Sequence, residues 1–487
     1  LISKKFIRNS IIYTIAGSLN LASAIILLPF YLEYLSTEVY GVVALYMGFS
    51  LFVQICVTYS FDASIYFYFH EFKNDKEKLT TFISSAFTFI LIISLATGVF
   101  LAAFGGLIFE VFFSDSKIIF YPYGLIAVLT GVFQAVLKVN TSLLQTQEKA
   151  SSFLVFNVLS FSLTALLTIG GLYLFPDDLL GPIGGRFLAY SITGVWALAA
   201  IYRAYGFRFD FTLLKSTFSF NHPSLVYQIM QWFNSSYDKV LMLTLHLPLS
   251  EIGVYDFAYK CLTVIEFILV GFYNSFFPKV LGITALQVKK KSTIEINRYY
   301  NGLTAVTIVL VALSILGFPI VIEWFVKKPG YLAALKWIPF VAVTYLLRSM
   351  RFYVAMPYAA LKYSKPMPFF YALIVASKIG FMILFIPKYG VMGVIIATWI
   401  GYMVEVVVLY LGVRNKFEIE FNALKLIVAP IVLALIIIIF EPLFGNTLEL
   451  LTHLSYVVIA VLLLAWAFRN ELKVFDWNSI LKLIKKG

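Results

Sequence analysis

Charge is scarce in this sequence. Only 13% of its 487 residues are Asp, Glu, Lys or Arg, where an ordinary soluble domain carries about 25%. Apolar residues make up 61% and the mean hydropathy is +0.90. A soluble chain of this size would expose apolar patches that water does not tolerate. Composition therefore excludes a soluble enzyme, a disordered chain and a disulfide-stapled secreted domain. Cysteine is scarcer still. Cys56 and Cys261 lie in apolar stretches at no recognisable spacing, so neither a metal site nor a disulfide framework is indicated. The histidines are scattered at His70, His222, His246 and His453. The phosphate-binding loop, the His-Glu-x-x-His pair and the Gly-x-Ser-x-Gly elbow are all missing. Gly181-Pro182-Ile183-Gly184-Gly185 sits between apolar runs and reads as a turn, not a dinucleotide loop.

What the sequence has in abundance is long apolar runs. A helix needs about 20 apolar residues to cross the hydrocarbon core. Fourteen runs qualify, near 10–32, 40–62, 81–103, 118–140, 151–175, 185–202, 223–246, 253–278, 300–323, 337–357, 367–387, 391–413, 424–441 and 452–468. The expected fold is an all-α integral membrane protein with 14 transmembrane helices. The first run is too long for a cleavable signal peptide, and no small-residue cleavage site precedes the next run, so it is read as a span. The connecting loops are short, the longest being 203–222 and 279–299. None can house a folded catalytic domain.

Lys and Arg placement sets the expected orientation. With the N-terminus inside, only Lys117, Arg186, Lys327, Lys328, Lys336 and Lys388 fall in outside segments. The inside segments take many more, among them Lys73, Lys76, Lys78, Arg203, Arg208, Lys289, Lys290, Lys291, Arg414 and Lys416. Both termini are then cytoplasmic. The net charge of +12 follows from topology, and no nucleic-acid partner is needed to explain it. Residues Lys473–Lys486 alternate apolar and basic positions. They read as an amphipathic helix on the cytoplasmic surface, held by anionic lipid.

The two halves can be superimposed. Ser10, Tyr13 and Asn20 match Ser224, Tyr227 and Asn234 at a constant offset. Ser36-Thr37-Glu38-Val39-Tyr40-Gly41-Val42 after span 1 matches Ser250-Glu251-Ile252-Gly253-Val254-Tyr255 after span 7. Gln145-Thr146-Gln147-Glu148-Lys149 falls opposite Lys362-Tyr363-Ser364-Lys365, and Gly181-Pro182-Ile183-Gly184 opposite Gly390-Val391-Met392-Gly393. Six spans separate the copies, so both have the same orientation. This predicts two six-helix lobes in a pseudo-two-fold parallel repeat. Residues 1–205 form the N-terminal lobe, 206–415 the C-terminal lobe, and 416–487 hold spans 13 and 14 and the tail.

Twelve duplicated spans plus two carry a family resemblance, with Ser236-Tyr237-Asp238-Lys239 and Glu251-Ile252-Gly253-Val254-Tyr255-Asp256-Phe257-Ala258 at spans 7 and 8 and Gln147-Glu148-Lys149 after span 4. The whole chain resembles the polysaccharide-exporter branch of the multidrug/oligosaccharidyl-lipid/polysaccharide flippase superfamily, nearest to bacterial O-antigen and capsule-unit flippases. The resemblance implies a two-lobed, non-enzymatic transporter of the cytoplasmic (inner) membrane. Its substrate would be oligosaccharide units on undecaprenyl diphosphate, moved from the inner to the outer leaflet by alternating access. It implies membrane lipid and the lipid-linked oligosaccharide as partners, and the polysaccharide polymerase and chain-length machinery beside them. Two alternatives stay open: a cation-coupled multidrug antiporter of the same superfamily, and a membrane polysaccharide polymerase or ligase. The appended spans and the cationic surplus weigh against the first; the short outside loops weigh against the second.

The cations left inside the spans are Lys138, Lys239, Lys260, Lys279, Arg348, Arg351 and Lys378; the acids are Asp238, Asp256, Glu266 and Glu405, with Asp62 at the end of span 2. A charge at the midplane costs about 2.5–3.5 kcal/mol even on the lenient insertion scale, so these residues must face protein or water. Asp256 and Lys260 are spaced to pair on one helix face. Lys138 and Lys279 lie near cytoplasmic ends, where their stems can snorkel. Arg348 and Arg351 share a face near mid-span, and arginine suits two-point capture of phosphate oxygens. The candidate substrate-binding residues are Arg348, Arg351, Lys378, Lys260 and Lys239, all from the second half. The competing reading is a buried ion-pair network with Glu266 and Glu405. Glu266, Glu405, Asp238 and Asp256 are candidates for coupling to H+ or Na+, because burial raises a carboxylate pKa. No cofactor is expected beyond such an ion. Tyr59, Tyr66 and Tyr68 could stack on sugars or anchor at the interface.

Overall fold

A computed structural model describes residues 4–113, 118–285, 289–361, 363, 365–416 and 421–472. Every regular element among them is a helix. In order they are α1 (Lys4–Tyr34), α2 (Thr37–Thr58), α3 (Phe61–Phe72), α4 (Lys76–Phe112), α5 (Leu125–Thr146), α6 (Ala150–Leu174), α7 (Leu180–Tyr205), α8 (Phe211–Ser236), α9 (Asp238–Thr244), α10 (Leu249–Ala285), α11 (Lys289–Phe325), α12 (Pro329–Leu332), α13 (Ile338–Ser349), α14 (Arg351–Ala360), α15 (Met367–Tyr389), α16 (Val391–Val413), α17 (Ala429–Ala467) and α18 (Arg469–Leu472). Short π-helical turns lead into α5 and α17. The amphipathic tail expected at 473–486 lies outside the described residues.

Among the described residues, 12 helices are long and apolar enough to cross a membrane. The protein is a multi-pass membrane protein. The count expected from sequence is 14, and the helices on two of those runs are not among the 12. Run 10–32 falls on α1, where Ser23–Tyr34 registers as a shorter apolar helix. Run 223–246 falls on α8 and α9. There the chain stays helical, but Ser224, Gln228, Gln231, Asn234, Ser235 and Ser236 interrupt its hydropathy.

Several spans are broken where the apolar pattern runs on. Between α2 and α3, Tyr59 (φ 49°) and Ser60 (φ 60°) are both left-handed, a conformation that costs non-glycine residues about 1 kcal/mol or more each. Met350 divides α13 from α14. Leu448 (φ −145°) interrupts α17 between its two membrane-length segments. Polar residues start the helices in the expected way. The Oγ of Ser36 accepts from Val39 N, and the carboxylates of Asp75 and Asp210 accept from Lys78 N and Leu213 N, satisfying first-turn amides that lack a helical acceptor.

The chain divides into two compact units. The first holds residues 1–260, 326–332 and 367–394; the second holds 261–325, 333–366 and 395–487. Within the first unit, the matched segments of the two repeats meet. At the start of α2 and of α10, a Cβ on Gly41 would stand 2.3 Å from the Leu249 carbonyl oxygen, and one on Gly253 2.0 Å from that of Thr37. Only glycine permits this backbone contact. Thr37 and Gly41, like Leu249 and Gly253, are four residues apart, the small-residue spacing of close membrane helix crossings. Gly171 and Gly181 bring α6 and α7 together in the same manner. Tyr331 locks the crossing: it is fully buried and its hydroxyl donates to the carbonyls of Leu35 and Ser36.

Candidate functional site

In the first unit, the charges gather where α9 meets the first turns of α10. Asp256 is 6% exposed and holds two lysines, Lys239 at 3.1 Å through Oδ1 and Lys260 at 2.8 Å through Oδ2. The Lys260 contact is ionic, since Oδ2 has no aligned hydrogen bond. Lys260 also stands over the Tyr40 ring, 4.8 Å from its centroid, which adds a cation–π attraction. Asp238, at the start of α9, accepts from the Tyr255 hydroxyl (2.7 Å) and from Lys239 N (2.9 Å). Four of the residues expected to act, Lys239, Lys260, Asp238 and Asp256, thus form one neutral cluster. The break after α8 places Asp238 there, and helical spacing brings Asp256 to Lys260.

Lys378 belongs to the same unit but to a different place in it. It is 4% exposed, and its Nζ donates to the Asn234 carbonyl at 2.5 Å. That carbonyl is in the last turn of α8, where carbonyls lose their helical donors. A lysine in mid-helix α15 is accommodated by closing the end of α8. The sequence groups Arg186 with the outside residues, yet it stands inside α7. With Tyr46, Ser50 and Thr130 it lines a void of about 20 Å³, room for roughly one water.

In the second unit, the two arginines flank the break at Met350, and each has a carboxylate. Arg348 grips Glu266 at two points, Nη1 to Oε2 at 2.9 Å and Nη2 to Oε1 at 2.5 Å. Arg351 Nε is 3.2 Å from Glu405 Oε1. The pairs differ in depth. Arg348 and Glu266 are 30% and 28% exposed; Arg351 is 28% exposed, but Glu405 only 1%. Both arginine side chains therefore keep part of their surface accessible. The pairing is the ion-pair network anticipated as the competing reading. Lys378 packs with the first unit and the arginines with the second.

Other assignments shift as well. Lys138 meets Asp62 at 3.1 Å rather than only snorkelling, whereas Lys279 is exposed. Tyr59 is half-buried against Phe61, Phe89, Phe218 and His222, with its hydroxyl 2.6 Å from His222 Nδ1. Tyr66 is 55% exposed. Sequence reasoning missed Glu441, which in α17 receives the Tyr456 hydroxyl (2.9 Å) and lies 3.3 Å from His453 Nε2. Polar residues 12 and 15 positions downstream, across the turn at Leu448, were the available signal.

The sequence matches the family described as "Polysaccharide biosynthesis protein" over residues 6–283, more than half of the chain. No curated protein matches it. Among solved structures, the fold is similar to that of the lipid II flippase MurJ in an inward closed conformation, with a TM-score of 0.70 at 18% identity over 96% of this chain and 100% of that one. It is also similar to an inward-facing multidrug resistance MATE family transporter of the MOP superfamily, with a TM-score of 0.65 at 16% identity over 85% and 98%. The MATE multidrug transporter DinF-BH, solved as a complex, gives 0.58 at 14% over 86% and 96%. These neighbours are transporters. Family match, helix order and fold agree, and the chain belongs to the polysaccharide biosynthesis protein family.

Proposed function

We propose that the protein is a flippase that carries undecaprenyl-diphosphate-linked oligosaccharide units from the inner to the outer leaflet of the bacterial cytoplasmic membrane, for O-antigen or capsule synthesis. The family membership supports a role in polysaccharide assembly. The observation that carries the reading is the pair of half-open arginines. Arg348 and Arg351 lie mid-chain in an apolar span, held by carboxylates yet partly accessible. A diphosphate offers the same two-point oxygen geometry as Glu266. It can compete for Arg348 if Glu266 swings away. Carboxylate exchange keeps the guanidinium compensated whether or not substrate is bound, which a bare cation in this environment would not be.

In this reading the duplicated lobes 1–205 and 206–415 rock about the substrate path, with 416–487 appended and both termini cytoplasmic. Lys239 and Lys260 are a second anion-responsive pair, and Lys378 supports the end of α8. Glu266, Glu405, Asp238 and Asp256 are the groups through which H+ or Na+ could couple. A second reading, a multidrug antiporter, is favoured by the MATE-like fold. One experiment separates them. Purified protein in proteoliposomes is given a fluorescent undecaprenyl-diphosphate oligosaccharide and, separately, a cationic dye. The flippase reading expects translocation of the lipid, reduced by Arg348→Ala with Arg351→Ala, and no dye uptake. Dye uptake without lipid translocation overturns it.

A further inference from the structure

The second unit contains a cavity of about 850 Å³ between α14, α16 and the π-helical turn into α17. Met350, Val354 and Pro357 line it from α14, Met403 and Val406 from α16, and Ile427 from the π turn. It is open at one side, and its wall is mostly apolar. Tyr353, Tyr410 and Arg414 break that wall. Tyr353 is 2% exposed, and its hydroxyl, buried among these apolar groups, has no hydrogen-bond partner. Arg414 lines the cavity just past the end of α16, with exposed Lys416 two residues on. A buried hydroxyl left without an acceptor is costly, and π turns often mark ligand sites.

We propose that this cavity holds one anionic phospholipid. An acyl chain fills the apolar part, an ester carbonyl accepts from the Tyr353 hydroxyl, and the phosphate sits at Arg414. Charge decides the occupant. Among the described residues the rim is cationic, and Arg414 belongs to the side that the basic residues assign to the cytoplasm. Basic pockets between membrane helices on that side suit acidic headgroups. The site goes beyond the transport reading and does not depend on it.

The test is lipid titration by native mass spectrometry on the delipidated full chain. The probes are phosphatidylglycerol and phosphatidylethanolamine with identical acyl chains, with undecaprenyl phosphate as competitor. The wild type should bind one phosphatidylglycerol in preference to phosphatidylethanolamine. Arg414→Ala should erase that preference, a loss of about five-fold from one basic residue. Tyr353→Phe should weaken both lipids equally, and Val406→Phe should weaken both by filling the space. Arg414 is exposed, so its replacement leaves the fold intact, and elution as a single species checks the buried variants. The proposal is overturned if the wild type shows no preference, if Arg414→Ala retains it, or if undecaprenyl phosphate displaces phosphatidylglycerol and binds better.

Discussion

Arg348 and Arg351 are three residues apart and chemically identical, but the structure predicts that they are not equally replaceable. The difference lies in what each leaves behind. Arg348→Ala strands Glu266, which is 28% exposed and can be solvated by water. Its loss should cost about 1 kcal/mol, the upper part of the range for accessible pairs. Arg351→Ala removes an ion-pair partner from Glu405, which is 1% exposed. A buried charge that loses an ion-pair partner costs about 3–5 kcal/mol. Arg351→Ala should therefore be the more destabilising by roughly 2 kcal/mol or more. Adding Glu405→Gln to Arg351→Ala removes the buried charge and should recover much of the loss. Adding Glu266→Gln to Arg348→Ala should recover little. Thermal unfolding of detergent-purified variants, followed by cysteine-reactive dye and size-exclusion chromatography, ranks them. Equal melting of the two single variants, or no recovery in the Arg351→Ala, Glu405→Gln pair, would refute the assignment of depth.

Other expectations are as direct. Gly253→Ala should destabilise strongly, because its Cβ would meet the Thr37 carbonyl oxygen at 2.0 Å; Gly98→Ala, with nothing within 4 Å, should be neutral or stabilising by up to about 1 kcal/mol, as melting temperatures would show. Lys378→Met should lower stability by about 1–3 kcal/mol through loss of the charged donor to Asn234, again read by unfolding. For topology, Asp178→Cys should react with a membrane-impermeant maleimide in intact cells, and Phe209→Cys only after permeabilisation; the reverse pattern would invert the proposed orientation.

The fold was legible in the sequence because helix length, the loop punctuation and the repeat all act over short distances. The glycines at 41 and 253 were visible as a repeated motif, and the structure shows that the matched segments touch there. The charge pairing was only partly legible. Asp256–Lys260 follows from spacing within one helix. Arg348–Glu266 and Lys378–Asn234 join residues far apart in the chain, and counting charges cannot choose such partners. A charge count also overlooks backbone acceptors, such as the helix-end carbonyl of Asn234 that Lys378 donates to. Breaks at Tyr59–Ser60 and Met350 left no proline or glycine signal, because tertiary packing imposes them on good apolar sequence.

The central claim is that this protein turns over a lipid-linked oligosaccharide. The most direct measurement is flipping of a fluorescent undecaprenyl-diphosphate oligosaccharide in proteoliposomes, scored by quenching from the outer leaflet. The expected result is protein-dependent loss of the protected fraction in the parent, and at least a ten-fold slower rate, about 1.4 kcal/mol on the barrier, when Arg348 and Arg351 are both alanine in protein that elutes as a folded species. Translocation unchanged in that folded double variant, or absent in the parent, would contradict it.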